Sequence, residues 1–156
     1  MAIHVVFVEP EMPPNTGNIA RTCAATGSVL HLVEPLGFSI DDKSVKRAGL
    51  DYWPFVRLEV HKSLEAFMEK YGDRQLYLAT TKGGKKYTDI NFKDEDMILF
   101  GRETAGLPKE FIAEHIEKTI RIPMSRDTRL RSLNLSNSAN IILFEALRQL
   151  GFPELD

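Results

Sequence analysis

Five short, mostly apolar runs constrain this chain more than anything else in it: Ile3–Val8, Val29–Val33, Leu76–Thr80, Met97–Phe100 and Thr119–Ile122. Runs of this length without polar alternation suit strands covered on both faces, as in a parallel sheet. Between them lie stretches of helical period. Ile19, Ala20, Cys23 and Ala24 share one face and stop at Gly27; Leu64, Phe67, Met68 and Tyr71 follow the cap candidate Ser63 and stop at Gly72. Phe55–Val60 adds a further candidate strand. Strand alternating with helix predicts an α/β domain, a mainly parallel sheet flanked by helices.

The punctuation refines this plan. Glu9-Pro10 and Pro13-Pro14 interrupt the chain, so the first helix is expected from about Gly17. Asp41 or Asp42 is expected to cap a short helix ending at Gly49, and Pro108 to open one running to about Ile116. Lys82-Gly83-Gly84-Lys85-Lys86 reads as a flexible cationic loop. With no repeat, linker or low-complexity segment, residues 1–156 are expected to form a single domain.

The segment from Thr119 to Gly151 concentrates polar chemistry. Pro123 ends its strand, and Arg126, Arg129 and Arg131 follow around a single Asp127. Ser132, Asn134, Ser136 and Asn137 offer helix caps before a stripe of Ala139, Ile142, Leu143, Ala146, Leu147 and Leu150. Ile141 and Phe144 fall off that stripe, which fits either a central core helix or a subunit contact. Backbone donors of a capped helix beside guanidinium groups suit an anion or a polar cofactor.

Composition sets limits. A net charge of −2 gives no global steering toward nucleic acid, so such binding must rest on local clusters. One cysteine, Cys23, excludes an intrachain disulfide and fits a reducing, cytoplasmic setting; a small buried hydrophobe is its ordinary role. The first residues lack a basic flank, and no run reaches membrane-spanning length. Dinucleotide, Walker A and hydrolase-elbow motifs are absent. His4, His31, His61 and His115 show no ligand spacing, so no metal is expected, and His4 and His31 read as structural.

Three polar loops remain, each at the carboxyl end of an expected strand, where open parallel sheets bind ligands. In Pro13-Pro14-Asn15-Thr16-Gly17-Asn18-Ile19-Ala20-Arg21, the Asn18 amide and Arg21 guanidinium share a helix face and can meet one phosphate or ribose, although Asn15 and Asn18 also suit helix capping. In Gly101–Pro108, two glycines flank Glu103, itself open to a lesser reading as a first-turn carboxylate. The third loop is Met124–Asn137.

Together, PPNTGNIAR, LFGRETAGLP and IRIPM followed by SLNLSNSANIILFEALRQ closely resemble the knotted, SPOUT-class RNA 2′-O-methyltransferases over essentially the whole chain. Within that class the chain looks most like the TrmL (YibK-like) tRNA wobble-ribose methyltransferases. The resemblance implies a C-terminal trefoil knot, S-adenosylmethionine as cofactor without a metal, a homodimer, and the tRNA anticodon region as substrate. It places Ala79, Gly101, Ile122 and Ser132 against the cofactor, with Gly106, Met124 and Leu133 nearby, and makes Asn18, Arg21 and Glu103 catalytic. The loop Ser125–Ser132 departs from the pattern in length and arginine content, which bears on the register of Ser132. Expected backbone contacts on RNA are Arg21, Lys82, Lys85, Lys86, Arg126, Arg129 and Arg131. Because guanidinium does not deprotonate in proteins, Arg21 is expected to clamp phosphate and stabilise developing alkoxide, the proton leaving late to water, a phosphate oxygen or Glu103. Action on ribosomal RNA, or a non-catalytic RNA-binding role, stays open at this point.

Overall fold

The computed structural model describes residues 2–41, 43, 47 and 50–156. Its strands are β1 (His4–Val8), β2 (Val29–Val33), β3 (Arg57–His61), β4 (Leu76–Ala79), β5 (Lys85–Lys86), β6 (Met97–Phe100) and β7 (Thr119–Arg121). They form one sheet in the order β3-β2-β1-β6-β4-β7-β5, and every pair is parallel. The helices are α1 (Pro13–Thr26), α2 (Leu64–Tyr71), α3 (Lys109–Glu114) and α4 (Leu135–Gln149). No helix among the described residues is long and apolar enough to cross a membrane.

Side chains alternate across the sheet, and both faces are covered. Val5, Phe7, Leu30, Leu32 and Ile98 point toward α1 and α4, where Ile19, Ala20, Cys23, Ile142, Leu143 and Ala146 meet them. Val6, Val8, Val33, Leu78 and Leu99 point the other way, under Phe67 and Tyr71 of α2 and Phe111 of α3. Burying each large aliphatic side chain contributes about 1.5–3 kcal/mol, so this double coverage dominates the stability of the central strands.

Several boundaries differ from the sequence reading. Helix α1 begins at Pro13 rather than Gly17, because proline lacks only an N–H that the first turn leaves unbonded anyway. Lys85-Lys86, read as loop, is a strand held by backbone pairing to Ile120 and Arg121. Phe55 belongs to a 3-10 turn, Leu50–Phe55, and is exposed, so β3 starts at Arg57. Pro108 caps α3 from outside, and a 3-10 turn at Ile116–Lys118 follows that helix. The short helix expected from Asp41 or Asp42 to Gly49 lies largely outside the described residues.

Scattered in sequence, three of the four histidines meet on the α2 face. The registers Val6↔His31 and Val33↔His61 set each strand's histidine two residues further along than its neighbour's, so His4, His31 and His61 form a diagonal. His4 Nδ1 lies 2.8 Å from His31 Nε2, and His31 Nδ1 lies 3.0 Å from His61 Nε2. His4 Nε2 reaches Glu95 at 3.1 Å. Burial pushes the His31 pKa down to about 3, helped by the His4 ring, and the ring is neutral.

Candidate active site

Strands β1 and β6 are neighbours, so the loops that leave their carboxyl ends run side by side. They are tied together residue by residue. The Arg102 guanidinium pairs with Glu9 at 2.8 Å, and Thr104 donates to Glu11 Oε1 from its backbone N–H at 3.1 Å and its hydroxyl at 2.7 Å. Those Thr104 hydrogen bonds hold the Glu11 carboxyl below the usual range. Glu9 sits at φ 53°, a left-handed conformation that non-glycine residues seldom adopt outside over-determined sites.

Glu103 closes this seam. Its carboxylate accepts from the backbone N–H groups of Glu11 (2.9 Å) and Met12 (2.8 Å) and from the Asn15 amide (3.1 Å). Met12 is the N-cap of α1 and supplies no side-chain cap, so a carboxylate from another loop takes that place. Glu103 is a helix-terminus carboxylate, but for α1 rather than for a helix of its own.

Asn15 then joins the third loop. Its amide donates to Glu103, while the Ser136 hydroxyl donates to its oxygen at 3.4 Å. Both residues are buried. Ser136 also bonds Asn134 Oδ1 at 2.7 Å, the N-cap that receives the Ser136 and Asn137 backbone N–H groups. Of the four cap candidates the structure uses Asn134. Sequence reading gave Asn15 only a capping role; its signal was the surplus of polar residues in that loop.

Asn18 and Arg21 are both exposed on α1, about one and two turns past Asn15. The Arg21 guanidinium lies 4.8 Å from the centre of the Tyr52 ring, a cation–π contact that sequence reading missed. Glu103 spends both oxygens on the α1 entrance, so it braces the helix that carries Asn18 and Arg21.

Of the expected cofactor positions, Ala79, Gly101 and Ile122 lie at the ends of adjacent strands β4, β6 and β7. Ala79 pairs with Ile120, Thr80 N–H donates to Ile120 at 2.9 Å, and Gly101 and Ile122 lie just past their strands. A Cβ on Gly101 would fall 2.0 Å from the Gly106 carbonyl carbon, so only glycine fits beneath the loop that Arg102 and Gly106 close on each other. Gly106 turns that loop at φ 72°. Ala79, Ile122 and Met124 are half-buried, and Gly106, Ser132 and Leu133 are exposed. These positions are small, apolar or hydroxylic and carry no charge, beside backbone past the last ladder bonds. That chemistry suits an uncharged, partly apolar ligand group.

Of the cationic set, Lys82, Lys85, Lys86, Arg126, Arg129 and Arg131 are all exposed. Arg129 is bidentate on Asp127, and Arg131 Nε donates to the Ser125 carbonyl at 3.2 Å.

The SpoU rRNA Methylase family model matches residues 2–144, most of the chain. The chain belongs to the SpoU methylase family. A family relative in Escherichia coli K12, the tRNA (cytidine(34)-2'-O)-methyltransferase, is 47% identical, covering 97% of this chain and 96% of its own. One from Geobacillus stearothermophilus, bearing that name as a provisional designation, is 52% identical over 99% of both. A solved structure concerned with 2-OH methylation of C/U34 on tRNA superposes at TM-score 0.90 with 42% identity, over 96% of this chain and 97% of that one. The SpoU methyltransferase AviRb of Streptomyces viridochromogenes, solved with AdoMet, matches at TM-score 0.85 and 27% identity, and this chain spans 60% of it.

Proposed function

We propose that this protein is a single-domain, cytoplasmic SpoU enzyme that methylates the ribose 2′-oxygen of nucleotide 34 in tRNA. One observation carries the reading: Glu103 and Asn15 fasten the helix bearing Asn18 and Arg21 to the loops of the other two motifs. Ala79, Gly101, Ile122 and Ser132 would hold S-adenosylmethionine, with Gly106, Met124 and Leu133 alongside, and the cofactor would supply an electrophilic methyl group. Arg21 grips a phosphate and stabilises charge developing on the 2′-oxygen, with Asn18 beside it. The Glu103 carboxylate is engaged by three donors that hold α1 in place, and the proton leaves late to water, a phosphate oxygen or Glu103.

Near-complete mutual coverage with the structure concerned with C/U34 favours tRNA over ribosomal RNA, since a solved rRNA methyltransferase from Sinorhizobium meliloti carries extra length. The exposed Ile141 and Phe144 of α4 support a homodimer, and the family's C-terminal knot would bring the third loop over the cofactor. The test is transfer of labelled methyl from S-adenosylmethionine to tRNA transcripts, with the site mapped. Label on the ribose of nucleotide 34 is the expected result; label only on ribosomal RNA fragments, or none, overturns it.

A further inference from the structure

On the sheet face away from α1 and α4, the geometry points to a divalent transition-metal site made by His31 Nδ1, His61 Nε2 and the Glu59 carboxylate. One ligand atom from each lies within 4.8 Å of the others. The two imidazole nitrogens are 3.0 Å apart, and His31 Nδ1 is 3.7 Å from Glu59 Oε2. A tetrahedral centre with metal–ligand bonds of about 2.0–2.1 Å needs its ligand atoms roughly 3.3 Å apart, so the two nitrogens must part slightly and the Glu59 carboxylate must swing in by up to about 1.5 Å, within reach of a side-chain rotation.

The surroundings set the rings. In the tautomer that places the His4 Nε2–H on Glu95, His4 Nδ1 bears a lone pair and receives His31 Nε2–H. That leaves the lone pair of His31 on Nδ1, aimed at His61. This is the outer support that metal-bound histidines use, one ring nitrogen on the ion and the other donating toward a carboxylate. Without metal, His61 meets His31 through Nε2–H; on binding, that proton moves to Nδ1 of the same ring, and no proton leaves the protein. Phe67 and Tyr71 stand edge-on to both rings at 5.1–5.9 Å and wall the site. The Tyr71 hydroxyl donates to Glu59 Oε2 at 2.6 Å and orients it. Two imidazoles and one carboxylate favour zinc, cobalt, nickel or copper over magnesium or calcium. The ion would tie edge strand β3 to β2, on the opposite side of β1 from strands β6, β4 and β7, whose ends carry the expected cofactor positions Gly101, Ala79 and Ile122.

Full-length protein stripped with a chelator is titrated with Zn²⁺ by calorimetry and with Co²⁺ by visible absorption. One equivalent per chain is expected, with Co²⁺ bands of a low-coordinate nitrogen and oxygen site and a raised melting temperature. Loss of outer-sphere support alone weakens metal about 10–100-fold, so His61→Gln and Glu59→Gln should each weaken Zn²⁺ at least that much. Lys70→Met should tighten it, because the Lys70 ammonium competes for Glu59. His115→Ala should change nothing. Absence of stoichiometric binding in the parent protein, or wild-type affinity in either ligand variant, overturns the site.

Discussion

Arg21 shows how little of a proposed catalytic residue's work is visible in its own burial. It is exposed, yet Tyr52 fixes its guanidinium from one side and α1 fixes its backbone. Arg21→Ala should lower turnover by about 10²–10³-fold, the loss typical of one positioned charge-stabilising donor. Cofactor affinity measured by calorimetry should stay close to the parent's. Cys23, by contrast, is fully used in packing: burial pushes its thiol up to about 12, and it is inert. Asp96 is the instructive carboxylate. Burial raises its pKa despite a hydrogen bond from Lys93 N–H at 2.8 Å, so the folded state holds the proton more tightly than the unfolded chain does. Its contribution therefore worsens as pH rises through the carboxyl range. Asp96→Asn, which keeps an acceptor for Lys93, should raise the urea midpoint at pH 7, and the gain should vanish below the ordinary aspartate value of 3.8.

At the scale of elements, the seam between the β1 and β6 loops decides whether α1 starts where it should. Glu103→Ala strips the acceptor from two backbone donors and an amide, and should cost about 1–3 kcal/mol in denaturant unfolding even without substrate. Of these features, only some were legible in the sequence. The central strands were, because being covered on both faces forces unbroken apolar runs such as Val5-Val6-Phe7-Val8. The first turn of α1 was not, since two prolines read as a break although a helix tolerates them at its start. Strand β5 was hidden for a different reason: its two lysines bury nothing, and only backbone pairing defines it. Asn15 and the histidine diagonal depend on which strands lie together and in what register, which no local spacing encodes. The off-stripe residues of α4 were legible as surplus apolar surface. Phe144 is 45% exposed, and Phe144→Glu should yield monomers in sedimentation at micromolar concentration if that face pairs two copies.

For the whole molecule, near-neutral overall charge with local clusters of cations at Lys82–Lys86 and Arg126–Arg131 implies local rather than long-range attraction to a polyanion. The affinity for tRNA should fall with salt at a log–log slope of about −0.7 to −0.9 per phosphate neutralised. A flat response would show that these loops do not touch the backbone. The lysine strand at the margin of the sheet has another effect. Open margins invite a second sheet to zip on through unsatisfied amides and carbonyls, and two adjacent ammonium groups on a strand only two residues long repel such a copy. The protein thus gains resistance to fibrous stacking from the same pair of side chains that would greet its nucleic acid.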